Sequence, residues 1–153
     1  MIGNKADAAL AANFIVTFDE DTWDEIVEGM PEGWKFLGSG CSREAFLSPD
    51  GVVYKREPHT AGMVSTNNAN EYAFYKSNSE TIAGFRLAAC YLWENNVLAM
   101  EYAKDDGSNV DRVWETMRDT MRERFNYHDC AKFKRGDNWH GVAGNIILTD
   151  YSY

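Results

Sequence analysis

An α+β fold is predicted for this chain: a five-stranded antiparallel sheet carrying a helix, then a long helix and a C-terminal β-hairpin. Three observations predict it. Short apolar runs bounded by turn residues fill 34–55 and 85–103, the pattern of paired strands. Residues 110–125 place apolar side chains at helical spacing. The last stretch, Asn138 to Asp150, reads as a hairpin folded about Gly144.

The chain begins with an Ala-rich segment, 5–17, that suits a short helix, although Phe14-Ile15-Val16 suits a strand equally. Asp19 or Asp21 can cap a second helix, with Trp23, Ile26, Val27 and Met30 at helical spacing and Pro31 and Gly33 as its stop. Residues 1–33 are thus expected to form a helical extension. From Trp34 the pattern becomes a meander of Trp34–Leu37, Arg43–Leu47 and Val52–Lys55. Its turns are Gly38-Ser39-Gly40 and Ser48-Pro49-Asp50-Gly51. Asn70–Lys76 reads as a short helix. Phe85–Trp93 and Val97–Ala103 read as two further strands joined by Glu94-Asn95-Asn96, where the Asn pair tolerates positive φ. Lys104–Asn109 is a polar break that suits a hinge. In the helix that follows, the stripe Val110, Val113, Trp114, Met117, Met121 and Phe125 is ordinary core packing.

With 153 residues, five Trp and eight Phe, the composition is that of one packed domain, divided here as 1–33, a sheet over 34–103 and the remainder 104–153. The net charge of −9 disfavours direct nucleic-acid binding and anionic membranes. It leaves room for a DNA mimic, but the acids are interspersed with bases instead of arrayed. Cys41, Cys90 and Cys130 are far apart and lack metal-site spacing, so a reducing, cytoplasmic setting is expected. No run approaches the ~20 apolar residues of a membrane span.

Some residues carry chemistry. Gly38 and Gly40 let a backbone approach a bound group and offer N–H donors to it, or simply turn a hairpin. Lys55 alternates with Val53 and so shares its face; buried there, it needs an anion, for which Glu71 on the short helix is the natural counter-ion. Equal spacing about Gly144 sets Asn138 beside Asp150, a pair of hard oxygen donors suited to magnesium.

In this order the residues resemble a protein kinase, in particular the abbreviated Ser/Thr kinase-like proteins encoded by some bacteriophages. Gly38-Ser39-Gly40 with Ala45 is similar to the glycine-rich loop, and Val52-Val53-Tyr54-Lys55 to the strand that ends in the nucleotide lysine. Glu71 resembles the helix glutamate paired with that lysine, and Met100-Glu101-Tyr102-Ala103 the hinge that meets adenine. His128-Asp129 is similar to the start of the catalytic loop, Asn138 to its metal-binding Asn, and Asp150-Tyr151-Ser152 to the Asp-Phe-Gly motif. The resemblance covers 34–153 and implies a kinase-like N-lobe with most of the C-lobe missing.

There are departures. Arg43 stands in place of the third loop glycine. Phe133 stands five residues before Asn138, where the family has its catalytic Asp, so Asp129 serves as base only if 132–136 is partly an insertion; Asp137 is the other candidate. Taking Asn145 as the metal Asn is the alternative register, rejected because Asn145 lies near Asp150 and falls in the turn. The activation segment and helical lobe would come after Tyr153.

The resemblance implies an ATP- and Mg2+-dependent phosphotransferase. Gly38, Gly40, Lys55, Glu101 and Tyr102 would hold the nucleotide, Asn138 and Asp150 the metal, and Asp129 would be the base beside Lys55 and Glu71. Its partner would be a host protein in the host cytoplasm. The alternative is a catalytically dead kinase-like protein, a pseudokinase, that inhibits a host enzyme through its acidic surface.

Overall fold

The computed structural model describes residues 1–40, 43–57, 66–79, 84–125 and 138–151; within the helix that ends at Phe125, side chains are described through Asp119. The protein is a mixed α/β structure with largely antiparallel sheets, and the chain divides into two compact units. The first comprises 1–72 and 90–102, the second 73–89 and 103–153.

The first unit opens on helix α1, Lys5–Asn13. The Asn4 side chain caps it by accepting the Asp7 amide at 2.8 Å. Strands β1, Ile15–Asp19, and β2, Asp24–Glu28, follow as a hairpin, so the helix expected over 19–30 is not formed. Asp19 initiates a turn instead: its carboxylate accepts the Asp21 amide at 2.9 Å and its carbonyl accepts the Trp23 amide at 2.8 Å. Of the residues at helical spacing only Val27, opposite Val16, and Met30 pack toward the core, while Trp23 in the turn and Ile26 are exposed.

The expected five-stranded antiparallel sheet is present in this unit. It comprises β3 (Lys35–Ser39), β4 (Glu44–Leu47), β5 (Val52–Arg56), β7 (Cys90–Leu92) and β8 (Leu98–Glu101), in the order β3-β4-β5-β8-β7. Turns close it as anticipated. Gly51, at φ 80°, donates to Ser48 O at 3.0 Å, and Asn96, at φ 61°, donates to Trp93 O at 3.0 Å.

Side chains alternate between the two faces of this sheet. On one, Phe46, Tyr54 and Ala99 pack with Ala8 and Ala11 of α1 and with Phe14 and Trp34. Arg56 ties that layer together. Its guanidinium donates to the carbonyls of Ala11, Ala12 and Phe14, binds Glu44 at 2.6 Å and stands over the Phe46 ring. Burial pushes the Tyr54 phenol above its ordinary pKa, and its oxygen accepts the Asn4 amide at 3.1 Å.

The other face of β5 presents Lys55 toward α2, Asn67–Asn78, a helix longer than the 70–76 expected. The boundary between the units falls within it.

The second unit holds a three-stranded sheet in the order β6-β10-β9: β6 (Phe85–Leu87), β9 (Trp139–Val142) and β10 (Asn145–Leu148). Phe85–Trp93 is therefore not one strand. The run breaks at Ala88-Ala89, with β6 pairing parallel to β10 and β7 joining the other sheet. Helix α3, Asp111–Phe125, contributes Met117 to the core beside Val110, which precedes it. The Trp139 ring lies 5.7 Å from Phe85 and 5.8 Å from Trp114. The expected contributions of Met121 and Phe125 lie outside the described side chains. Among the described residues no helix is long and apolar enough to cross a membrane.

Candidate functional site

Lys55 and Glu71 meet because β5 aims alternate side chains at one face and α2 lies along that face. Lys55 Nζ donates to Glu71 Oε1 at 2.9 Å, with Glu71 wholly buried and Lys55 12% exposed. The other oxygen, Oε2, receives the Arg43 guanidinium. One buried carboxylate is thus held between two cations. Such a group keeps its charge only with partners of this kind.

Arg43 marked a departure from the family loop in the sequence, and its role was missed. Its place follows from the pairing of β4 with β5: Ala45 lies directly opposite Lys55, and Arg43, two residues earlier, falls on the same face.

Asn68 was missed as well. One turn before Glu71 and wholly buried, it donates to Lys55 O at 2.9 Å and Asn96 O at 2.8 Å. Its backbone amide donates to Glu57 Oε1 at 2.9 Å, and Glu57 Oε2 in turn accepts from Asn96 at 2.5 Å. This network fixes the start of α2 against β5 and against the β7–β8 turn. Every described buried side-chain nitrogen and oxygen has a partner.

Gly38 lies at a bulge in β3 with φ 138°, a conformation that favours glycine. A Cβ at Gly38 or Gly40 would meet nothing within 4 Å, so open space surrounds both. The Gly40 amide donates to Arg43 O at 2.8 Å. It closes the hairpin and is not an open donor for an anion, as the sequence suggested. Glu101 ends β8 opposite Val52, half-buried, and Tyr102 is exposed.

In the second unit the hairpin register differs from the one predicted. The turn has two residues, Ala143 at φ 51° and Gly144 at φ 79°, so Asn145 pairs with Val142 and Leu148 with Trp139. Asn138 O accepts the Thr149 amide at 2.8 Å. Thr149, not Asp150, therefore stands opposite Asn138, and the symmetry that set Asn138 beside Asp150 is lost by one residue. Asn145 begins β10 and is not in the turn. Among the described residues no three His, Cys, Asp or Glu side chains cluster as a metal site. Asp129, His128, Asp137 and Ser152 lie outside the described residues, as do Cys41 and Cys130.

The segment expected as a hinge is pinned to this hairpin. Asp105 accepts the amides of Gly107 at 2.8 Å and Gly141 at 3.0 Å. Asp106 accepts those of Ser108 at 2.9 Å and Ala143 at 2.7 Å, and Ser108 Oγ accepts that of Gly144 at 2.9 Å. The Ala143 amide, then the Ser108 hydroxyl and amide, hold the Asp106 carboxyl down to about 2.

No protein-family model matches the chain, and no curated protein matches it. Among solved structures it is similar to the streptomycin-ATP-APH(2")-IIa ternary complex, at 16% identity and a TM-score of 0.38. The likeness covers 76% of this chain and 35% of that one, so the chain spans about a third of its length.

Proposed function

We propose that the first unit binds the phosphates of ATP and that the protein is an ATP-dependent phosphotransferase of the kinase type. The observation that carries this is the buried Glu71 carboxylate, which holds Lys55 and Arg43 together on one sheet face. In a chain of net charge −9, two cations fixed side by side are a preorganised seat for an oxyanion. The β3–β4 hairpin supports the same reading, since at Gly38 and Gly40 no side chain obstructs approach to it.

In this reading Lys55 and Arg43 hold the phosphate oxygens and Glu71 sets the height and direction of both cations. The Glu101–Tyr102 backbone at the end of β8 takes the adenine edge. From the sequence resemblance alone, Asp129, or Asp137, would be the base that removes the proton of an acceptor hydroxyl. The freed oxygen attacks the γ-phosphorus, the bond from that phosphorus to the bridging oxygen breaks, and ADP leaves with the electron pair. A Ser or Thr of a host protein as acceptor, and a phage-encoded role, follow from the sequence resemblance alone.

Magnesium would neutralise charge on the phosphates when bound. Asn138 and Asp150 are donors of the right type, but the one-residue slip of the hairpin register does not pair them.

The test is thermal unfolding with millimolar ATP, alongside phosphate transfer from radiolabelled ATP. A ligand that binds only the folded state must raise its stability. ATP is expected to raise the midpoint of the wild-type chain, and Lys55→Met and Arg43→Ala to abolish the rise while still unfolding cooperatively. No rise with the wild type, or an equal rise with both variants, would refute the site. Label transfer that survives Lys55→Met would refute its role in the reaction.

A further inference from the structure

The β1–β2 hairpin exposes what a folded domain ordinarily hides. Trp23 is 78% exposed and sits at φ 60°, a backbone conformation unfavourable for a side chain of its size, within a turn otherwise made of acids and Thr22. Phe18 is 54% exposed and stands edge-on to Trp23 at 5.8 Å. Between this hairpin and β3 runs an open groove of ≈ 760 Å³, lined by Phe18, Trp23, Val27, Met30, Phe36 and Leu37 among others.

The hairpin side of the groove is acidic. Asp24 and Glu25 line it, with Glu25 accepting the Ser39 hydroxyl of β3 at 2.6 Å. Asp19, Glu20 and Asp21 belong to the same hairpin, and between Phe14 and Trp34 there is no Lys, Arg or His. Among the described strands, β2 pairs only with β1 and β3 only with β4, so each strand beside the groove has one edge without a strand partner.

We propose that this groove docks an extended, cationic segment of another protein, one in which Lys or Arg alternates with aliphatic or aromatic side chains. The period of two in an extended chain puts the apolar side chains on the groove floor and the cations toward the acidic rim. The strand edges can take its backbone hydrogen bonds, and the Phe18–Trp23 pair supplies the aromatic anchor that such surfaces concentrate. The same acidic rim repels nucleic acid and anionic lipid, which leaves a basic protein segment as the occupant.

The probe is a fluorescein-labelled decapeptide alternating Leu and Lys, titrated with the full chain and followed by fluorescence anisotropy. Peptides alternating Ser with Lys and Leu with Glu are the controls. The Leu–Lys peptide is expected to bind, more weakly as salt is raised, and the controls not to bind. Trp23→Ser and Phe18→Ser, both at exposed positions, should each weaken binding about tenfold or more. Glu20→Gln with Asp21→Asn, which leaves the apolar lining intact, should weaken it too. No binding of the Leu–Lys peptide, equal binding of the Ser–Lys peptide, or an affinity unmoved by Trp23→Ser and Phe18→Ser would overturn the proposal.

Discussion

Lys55 is fixed at both ends by α2: its ammonium lies 2.9 Å from Glu71 Oε1, and its carbonyl accepts from Asn68 at 2.9 Å. The carboxylate that orients the cation therefore belongs to a helix that the same residue's backbone helps to hold. Removing Glu71 leaves two largely buried cations facing each other. Glu71→Ala is expected to lower stability by about 3–5 kcal/mol, the usual consequence of breaking a buried ion pair from one side. Denaturant unfolding measures it, and a loss below about 1 kcal/mol would show the cluster to be solvated.

Asn68 donates to two carbonyls from a wholly buried position. Asn68→Ala should cost about 2–3 kcal/mol by removing both of these hydrogen bonds. Asn68→Asp should cost more, because it sets a carboxylate against those same oxygens. If Asn68→Asp proved the milder change, the hydrogen-bond assignment at this position would be wrong.

The carboxyl of Asp106 titrates at about 2 in the folded protein, held below its ordinary value by the Ala143 and Ser108 donors. Because the folded pKa is the lower one, its contribution to stability is present above the unfolded value of ~4 and is lost as pH falls toward about 2. A carboxyl-detected NMR titration should place the midpoint near 2, with the Ala143 amide moving in step. A midpoint near 4 would mean that the segment is not held to the hairpin. Asp106→Asn should remove the acid-range response of the Ala143 amide.

Ala143 occupies a left-handed turn position at φ 51° that Asn or Gly tolerates better. Ala143→Asn is expected to stabilise the second unit by about 0.5–1 kcal/mol, and Ala143→Val to destabilise it by at least as much. Thermal unfolding of the two variants decides it; an identical response to both would place the turn elsewhere.

The parts legible in the sequence are those specified by neighbours along the chain. The strands between Lys35 and Arg56, the Ser48–Gly51 turn and the Trp93–Asn96 turn each follow from local alternation and turn chemistry. Lys55 and Glu71 were legible because a cation in an apolar strand demands an anion. Arg43 and Asn68 were not, since their roles emerge only when β4 and α2 lie against β5.

Where the sequence misled, two patterns coincided or a distant partner decided. Trp23, Ile26, Val27 and Met30 fit a helical period, but the turn centred on Asp19 and Asp21 sends the chain back as a strand. No Gly or Pro marks the change of sheet at Ala88-Ala89, which is imposed by β10, some 60 residues on. Lys104–Asn109 looked loose because the amides that satisfy Asp105, Asp106 and Ser108 belong to the final hairpin.

The parallel pairing of β6 with β10 has a consequence for synthesis. Phe85-Arg86-Leu87 leaves the ribosome long before Ile146-Ile147-Leu148 exists to cover its edge. At ordinary elongation rates that interval is roughly 3–12 s. The first unit's last strand is complete by Glu101, so its sheet can form while the second unit's remains open. For those seconds the nascent chain carries an apolar strand without its neighbour, a natural point for a chaperone to hold it. A ribosome stall before codon 146 would leave the second unit unable to form its sheet.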